Sequence, residues 1–525
     1  MSEYLTSLKM EFRLSGVWTD LSEYVVSDVE GEYGLPGESP LDRVATTGNI
    51  DFALNNVDNI FTPGLVGSIA GFGKGTKVRM TCLYSGETWV KFYGSIDTIE
   101  IDSKDYGERR VLISCVDWMN NANTYPLKQT DIILNSTADV GIETIVNLMP
   151  TPPLETNYIT GIDTFPTIFD TTKPNAKAST EFQKLAMSEL CYVYLRRKRD
   201  TGEQLVVESR NTRNRSVLQS LPTTIALSGY ALLHNPTSGK KLLMSGGFKK
   251  LHQNIPYAFD NNMKDVTVVN GEYVLNDITV KVYPRKVDAN ISVLFTLQKA
   301  MAIGAGETIT IRGTYKDSYG VAVNGCEYTD KATNIVCTMS AGGVVSITEA
   351  DVIVGSEAFS IPVTNTGAAC NITVFTVSLK AIHTEPVESN VQDSGSIVDY
   401  DFRSTIFDQP YQDTLNAGLE LAWTAVYKSA QPHTVAKKIL LMANQDSNSM
   451  AAFLNLDIGS LIKVVETKSQ INGSYYIVRI GFKITIGGLI DYWYEVQEAT
   501  SFSSLFWQFD TVGRCEFGNL LFGVG

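Results

Sequence analysis

The chain has 525 residues, 44% of them hydrophobic and 19% charged, with a formal net charge of −14. That apolar fraction suffices for ordinary globular cores, and at about 100–200 residues per domain several units are expected. The acidic balance argues against a protein that grips nucleic acid through its phosphates, which takes basic patches. Met1-Ser2-Glu3-Tyr4 lacks a basic leader with an apolar stretch behind it. No window approaches the ~18 apolar residues of a spanning helix. A soluble protein that matures in a cytosol, without a membrane anchor, is the expectation, and Asn135-Ser136-Thr137 is then a chance match to a glycosylation triplet. The seven cysteines, Cys82, Cys115, Cys191, Cys326, Cys337, Cys370 and Cys515, are odd in number and form no Cys-x-x-Cys pair. Free, buried thiols are expected. His234, His252, His383 and His433 are too scattered for zinc-ligand spacing.

In chain order, residues 1–120 read as β. Short β-forming runs end in Asn, Asp, Gly or Pro: Gly16-Val17-Trp18-Thr19-Asp20-Leu21, Tyr24-Val25-Val26, Gly48 to Asp58, Phe61-Thr62-Pro63, Gly75 to Arg79, Phe92 to Asp97 and Cys115-Val116-Asp117-Trp118. Thr76–Tyr84 and Thr88–Ile99 bracket a three-residue loop, Ser85-Gly86-Glu87, and Ile96–Ile101 with Arg109–Cys115 form a second long pair. Residues 121–230 read as an α+β unit. Val140, Ile142, Ile145, Val146 and Met149 predict a short helix stopped by Pro150, Pro152 and Pro153. A second helix runs from a cap at Ser179 or Thr180 through Met187, and strands at Cys191–Leu195 and Gln204–Glu208 flank an Asp200-Thr201-Gly202 turn.

Residues 231–285 read as further strands. Residues 286–382 read as an inserted β-sandwich, from the alternating run Gly306–Tyr315 and the turn Val363–Gly367 leading into Cys370–Leu379. Residues 383–500 return to α+β. Tyr411–Lys428 is the clearest helix, with Leu415, Leu419, Ala422, Trp423, Val426 and Tyr427 on one stripe and Pro410 at its start. Strand Ile439–Met442, a helix around Met450–Leu454 and strand Leu461–Val465 follow. Asn472-Gly473 is the strongest hairpin signal and joins that strand to Tyr475–Thr485, and Gly487-Gly488 turns into Leu489–Val496. Residues 501–525 are unusually apolar for a terminus, carrying Phe502, Leu505, Phe506, Trp507, Phe509, Phe517, Leu520, Leu521 and Phe522. Such a segment is buried in its own domain or in a neighbour, since interfaces enrich Trp and Phe.

Catalytic chemistry is hard to find in these residues. Gly71-Phe72-Gly73-Lys74-Gly75-Thr76-Lys77 is Gly-rich and basic, but Lys74 is followed by Gly75 and then a strand, so it reads as a turn and not a phosphate cradle. The carboxylate pairs Glu100/Asp102 and Glu495/Glu498 could be a glycosidase acid and nucleophile, but they read better as solvated strand faces. Neither Gly-x-Ser-x-Gly nor His-Glu-x-x-His occurs. Arg196-Arg197-Lys198-Arg199, the one basic run, could touch DNA or an acidic partner and reads better as a solvated hairpin tip.

The order of the N-terminal motifs resembles the N-terminal region of tail hub proteins (baseplate hub-like or tail tip proteins) of long-tailed bacteriophages and prophages. Those open with a Trp/Phe-Thr-Asp-Leu-Ser turn, then strands of the form Gly-x-Φ-x-Phe-x-Leu-x-Asn-x-Asp (Φ apolar), Gly-x-x-Val-Arg and Phe-x-Gly-x-Ile-Asp, closing on Cys-x-Asp. Gly202, Glu203, Leu205, Val207 and Arg210 match a later unit of such hubs, the Gly306–Tyr315 and Thr364–Gly367 runs a module, and Asp457-Ile458-Gly459 an Asp-x-Gly-Asp element in which Ser460 replaces the second Asp. Lys380-Ala381 stands where such hubs close the module with Arg-Gly. The resemblance implies a mainly β fold with α+β units: a multi-domain phage tail hub-like architecture with an inserted β-sandwich. It implies a non-enzymatic homotrimer, without cofactors, at the virion tail tip, assembled in the host cytoplasm. Its partners would be a distal tail or tail tube protein, tape-measure protein and other tail tip or fibre proteins, with no specific nucleic-acid binding. Leu505, Phe506, Trp507, Phe509, Leu520, Leu521 and Phe522 are the candidate subunit interface. A receptor- or carbohydrate-binding tail protein is the alternative, with Tyr315, Tyr319 and Tyr328 as sugar-facing aromatics, and a cell-wall hydrolase is a further one.

Overall fold

The computed structural model describes residues 3–37, 42–102, 109–127, 130–173, 175–210, 212, 231–234, 241–244, 257–260, 262–270 and 274–499. The apolar 501–525 segment, with all seven candidate interface residues, lies outside them, as do Cys515 and His252.

The first 116 residues supply seven strands: β1 (Ser7–Leu14), β2 (Val17–Asp20), β3 (Val29–Gly34), β4 (Thr46–Asn55), β5 (Lys77–Tyr84), β6 (Glu87–Asp102) and β7 (Arg110–Val116). Alternation drives them. Met10, Phe12 and Leu14 of β1 and Val111, Ile113 and Cys115 of β7 point into one core, while Glu11, Arg13, Leu112 and Ser114 point outward. The β5–β6 loop has two residues, not three. Tyr84 pairs with Glu87, and Ser85 and Gly86 both have positive φ (49° and 82°), the two-residue turn whose twist matches antiparallel strands.

These strands form one half of a thirteen-stranded sheet. Its order is Asp265–Asn270, Thr434–Met442, Ile490–Glu498, Ile471–Ile484, β3, β4, β7, β6, β5, β1, β2, with Leu461–Glu466 and Ala258–Phe259 branching from it. The join is β3 against Ile471–Ile484, in register from Val29↔Ile484 to Gly34↔Arg479. Lys483 bridges Glu30 (2.7 Å) and Asp28 (3.0 Å), and Arg479 meets Glu32 (2.8 Å), so charge pairing follows the ladder. One apolar cluster runs from Met10 to Val496 beneath the sheet, and helices α1 (Met119–Thr124), α2 (Ala138–Leu148) and α3 (Ala178–Glu189) pack into it through residues such as Met119, Ile142 and Phe182. The α3 start differs from the expected cap. Lys177 is the N-cap, no side chain caps the helix, and the first helical N–H, that of Ala178, donates to the Tyr125 carbonyl.

The hairpin near residue 470 is present, but its turn is not Asn472-Gly473. Glu466 pairs with Ile471, leaving Thr467–Gln470 as the loop, and Asn472 and Gly473 lie in the strand opposite Val465 and Val464. The Glu466 carboxylate accepts from the N–H groups of Lys468 (3.0 Å) and Ser469 (2.6 Å), which fixes the loop and holds its pKa below the usual carboxylate value. The long helix begins at Leu415, not Tyr411, because the segment before it is spent on α3: Tyr411 N–H donates to Ser188 Oγ and its hydroxyl to Glu181 Oε2. Its buried stripe is narrower than the expected one. Four of the six expected residues form it, with Ala422 and Val426 buried and Leu415 and Leu419 partly buried against Ile278, Val280 and Val282, while Trp423 is 57% exposed and Tyr427 about half exposed.

Between residues 285 and 384 two sheets face one another. The long strand Cys370–Thr384 carries five partners, and Ala358–Asn365 pairs with Thr308–Thr314, Val345–Ser346 and Ile353–Val354. They enclose a separate apolar cluster around Ile361, Val363, Phe375 and Val377. Asn365, fully buried, ties its far end: Oδ1 accepts from Val344 (3.1 Å) and Gly367 (2.9 Å), and Nδ2 donates to the carbonyls of Gly304 (3.1 Å) and Ala368 (2.7 Å). Asn365→Ala would strand these buried groups and should destabilise the sandwich by roughly 2–3 kcal/mol. Urea unfolding followed by hydrogen exchange at Phe375 and Ile361 checks this.

Candidate functional site

The basic run is where structure and expectation part most sharply. The strand Tyr192–Arg196 is buried on both faces from Tyr192 to Leu195, and Arg197, just past its end, remains in that core. Its side chain is fully buried. Nη2 reaches Asp117 Oδ2 at 2.7 Å, and the guanidinium lies 4.3 Å from the Tyr33 ring centroid and 5.2 Å from that of Phe92. The Arg197 N–H donates to Asp457 Oδ2, whose other oxygen accepts from Ile458 N–H at 2.7 Å. Burial opposes the Arg197 charge, but Asp117, Tyr33 and Asp457 outweigh it and hold its pKa above the ordinary arginine value. The neighbours of Arg197 in the run are paired too. Arg196 donates to the Tyr194 hydroxyl (3.0 Å), Lys198 meets Glu155, and Arg199 meets Glu87 (3.1 Å) over the Trp89 ring. The solvated-tip reading holds for Lys198 and Arg199, which are exposed, and is corrected for Arg197, which is buried, and for Arg196, which is half-buried.

Gly48 explains its own place in the pattern. A Cβ there would lie 2.4 Å from Asp117 Oδ2, 2.6 Å from Tyr33 Cβ and 2.8 Å from Arg197 Nη2. The bare backbone lets β4 pass the ion pair, and Gly48 C=O accepts from Asp117 N–H at 2.9 Å. Beside this cluster Lys91 is buried, donating to the Phe453 carbonyl at 2.8 Å, and burial lowers its pKa. Two further buried carboxylates hold loops. Glu203 accepts from Leu154 N–H (2.9 Å), and Glu189 from Ile162 (2.6 Å) and Asp163 (3.1 Å). Burial pushes each up to about 7. Arg210 pairs with Asp163 at 2.7 Å.

The remaining sequence candidates do not converge. Glu100 and Asp102 sit two apart on β6, while Glu495 and Glu498 fall on opposite faces of their strand, Glu498 pairing with His433 at 3.1 Å. His383 meets Asp288 at 3.5 Å. Gly71–Lys77 leads into β5 with Lys74 on Asp97 (3.1 Å). Cys82, Cys115, Cys191 and Cys326 are buried and Cys337 and Cys370 half-buried, all unbonded. Tyr315 is buried against Phe359 and cannot face a sugar; Tyr328 donates to Glu349 (2.6 Å), and Tyr319 is 90% exposed. Among the described residues no group of three His, Cys, Asp or Glu could hold a metal ion, and no helix is long and apolar enough to cross a membrane. A shallow surface groove of about 360 Å3 lies over Asp28, Glu30, Asp51, Phe52, Glu100 and Leu112 on the outer face of the sheet. The arrangement is suited to holding segments together: its titratable groups are buried and spent on backbone and ion pairs.

No protein-family model and no curated protein matches the chain. Among solved structures it is similar to the tail protein from Neisseria meningitidis, with a TM-score of 0.46 and 8% identity over 93% of this chain and 96% of that one. It is similar to the 43 kDa tail protein of prophage MuSo2 from Shewanella oneidensis, with a TM-score of 0.46 and 12% identity over 94% and 99%. The prophage tail protein gp18 from Listeria monocytogenes gives 0.39 and 9% over 94% and 95%.

Asp117→Asn should cost about 3–5 kcal/mol, because it leaves the Arg197 charge buried without its partner; chemical denaturation measures it. Glu203 titrates near 7 when folded against 4.5 for the free side chain, so the folded state binds the extra proton. Its contribution is therefore most favourable at low pH and is lost as pH rises from about 4.5 through 7. Glu203→Gln should flatten that slope and add roughly 1–3 kcal/mol at pH 8, read from denaturation curves across pH.

Proposed function

We propose that this chain is a structural tail hub at the distal end of a bacteriophage tail, joining a hexameric tube to a threefold tip and lining the channel for tape-measure protein and DNA. The observation that carries the reading is the convergence of the motif residues. Gly48, Asp117 and Asp457-Ile458-Gly459, which lie far apart in the chain and carry the resemblance to tail hubs, meet around Arg197. That distant motif residues share one three-dimensional unit supports the reading. A mainly β wall, a net charge of −14 and carboxylates at Asp51 and Glu100 on its outer face suit a surface that a polyanion passes without sticking. In this reading the protein is not an enzyme, residues 286–382 form a separate inserted module, and Leu505, Phe506, Trp507, Phe509, Leu520, Leu521 and Phe522 make a subunit contact.

Imaging of assembled particles tests it. Three copies in a ring at the tail end are expected for the full chain, and folded but unincorporated protein for a chain lacking residues 501–525. Six copies or a single copy at the tip would refute the hub, and normal incorporation of the truncated chain would refute the interface.

A further inference from the structure

The inserted sandwich keeps its own apolar core, distinct from the cluster beneath the large sheet. Polar contacts at its base converge on Asp170, just after the strand Phe165–Ile168. Arg285 opens the first strand of the sandwich, Arg285–Val287, and grips Asp170 with both arms: Nε to Oδ2 at 2.6 Å and Nη2 to Oδ1 at 3.1 Å, both side chains fully buried. Nη1 donates to the Tyr283 carbonyl at 2.7 Å and Nη2 also to that of Pro410, with the Tyr411 ring centroid 5.7 Å away. From a second strand of the sandwich, Asn324 Nδ2 donates to the Asp170 carbonyl at 2.7 Å. Tyr411 in turn donates to Glu181 of α3 at 2.5 Å.

We propose that Asp170 and Arg285 form a mounting joint that fixes the direction in which the inserted sandwich projects from the rest of the chain. Apolar surfaces can slide over one another, whereas a two-armed guanidinium–carboxylate pair is satisfied in one plane only. Two strands of the sandwich share the one aspartate, so a rotation that preserved the Arg285 contact would still break that of Asn324. Because the pair is dry, salt screens it little. The sandwich is in this account a rigid bracket and not a tethered domain, which makes the outer face that it presents a fixed feature of the molecule. The inference does not depend on the tail hub reading.

Energy-transfer distance distributions in the full chain test it, with dyes attached by bio-orthogonal chemistry at the exposed positions Thr88 and Thr338. The native chain should give one narrow distribution. Asp170→Asn should broaden it by about twofold while hydrogen exchange at Phe375, Ile361 and Ile480 stays protected. Asp170→Leu combined with Arg285→Met strands no charge, keeps the chain folded and should broaden the distribution as well. An unchanged width in that double variant overturns the joint. Loss of protection throughout the sandwich, in either variant, overturns it too, because the pair would then serve the fold of the module and not its direction.

Discussion

One dry guanidinium organises the molecule. Arg197 comes from the α+β segment, its carboxylate partner Asp117 from the end of the N-terminal sheet, the acceptor of its N–H, Asp457, from near the C-terminal strands, and its stacking ring, Tyr33, from the strand that joins the two halves. A charge withdrawn from water is tolerated only with such geometry, and removing any one partner leaves the others stranded. This turns four distant stretches of sequence into a single all-or-none contact. The apolar cluster supplies the bulk of the burial, and the hydrogen-bonded ion pair adds a direction that burial alone does not set.

Much of the strand grammar could be read from the chain because alternation is local. The β1 and β7 faces, the α2 helix and the Gln204–Glu208 strand follow from period and turn residues alone. The sequence misleads where a tertiary contact overrides a local signal. Asn472-Gly473 is a good turn sequence, but Glu466 fixes a loop centred four residues earlier. Tyr411 has a helical neighbourhood, but α3 recruits it. Arg197 was hidden by its company. Its three flanking cations suggest a solvated tip, and the strand ahead of it does not mark an inward side, because Tyr192 to Leu195 are all buried. No local pattern reveals that Asp117 and Asp457 await it, nor that Asp170 and Arg285, over a hundred residues apart, form a second dry pair.

Those two ion pairs share a logic. Each joins segments far apart in the chain, Arg285 through two arms on Asp170 and Arg197 through Nη2 alone on Asp117. Apolar residues fill the interiors of the units, and directional polar contacts set their mutual arrangement. The carboxylates Glu189 and Glu203 extend the pattern at smaller scale, pinning loop N–H groups from inside the core.

The pairing of β3 with Ile471–Ile484 has a temporal side. A ribosome adding about 5–20 residues per second finishes β3 roughly half a minute or more before its partner emerges. Throughout that interval β3 is an edge with open backbone groups, able to template the wrong strand or a neighbouring chain. Its own sequence guards it. Glu30 and Glu32 alternate on the face that later receives Lys483 and Arg479, so during synthesis the waiting strand repels copies of itself. The same carboxylates that later match the final strand thus first act as chaperones of the nascent one.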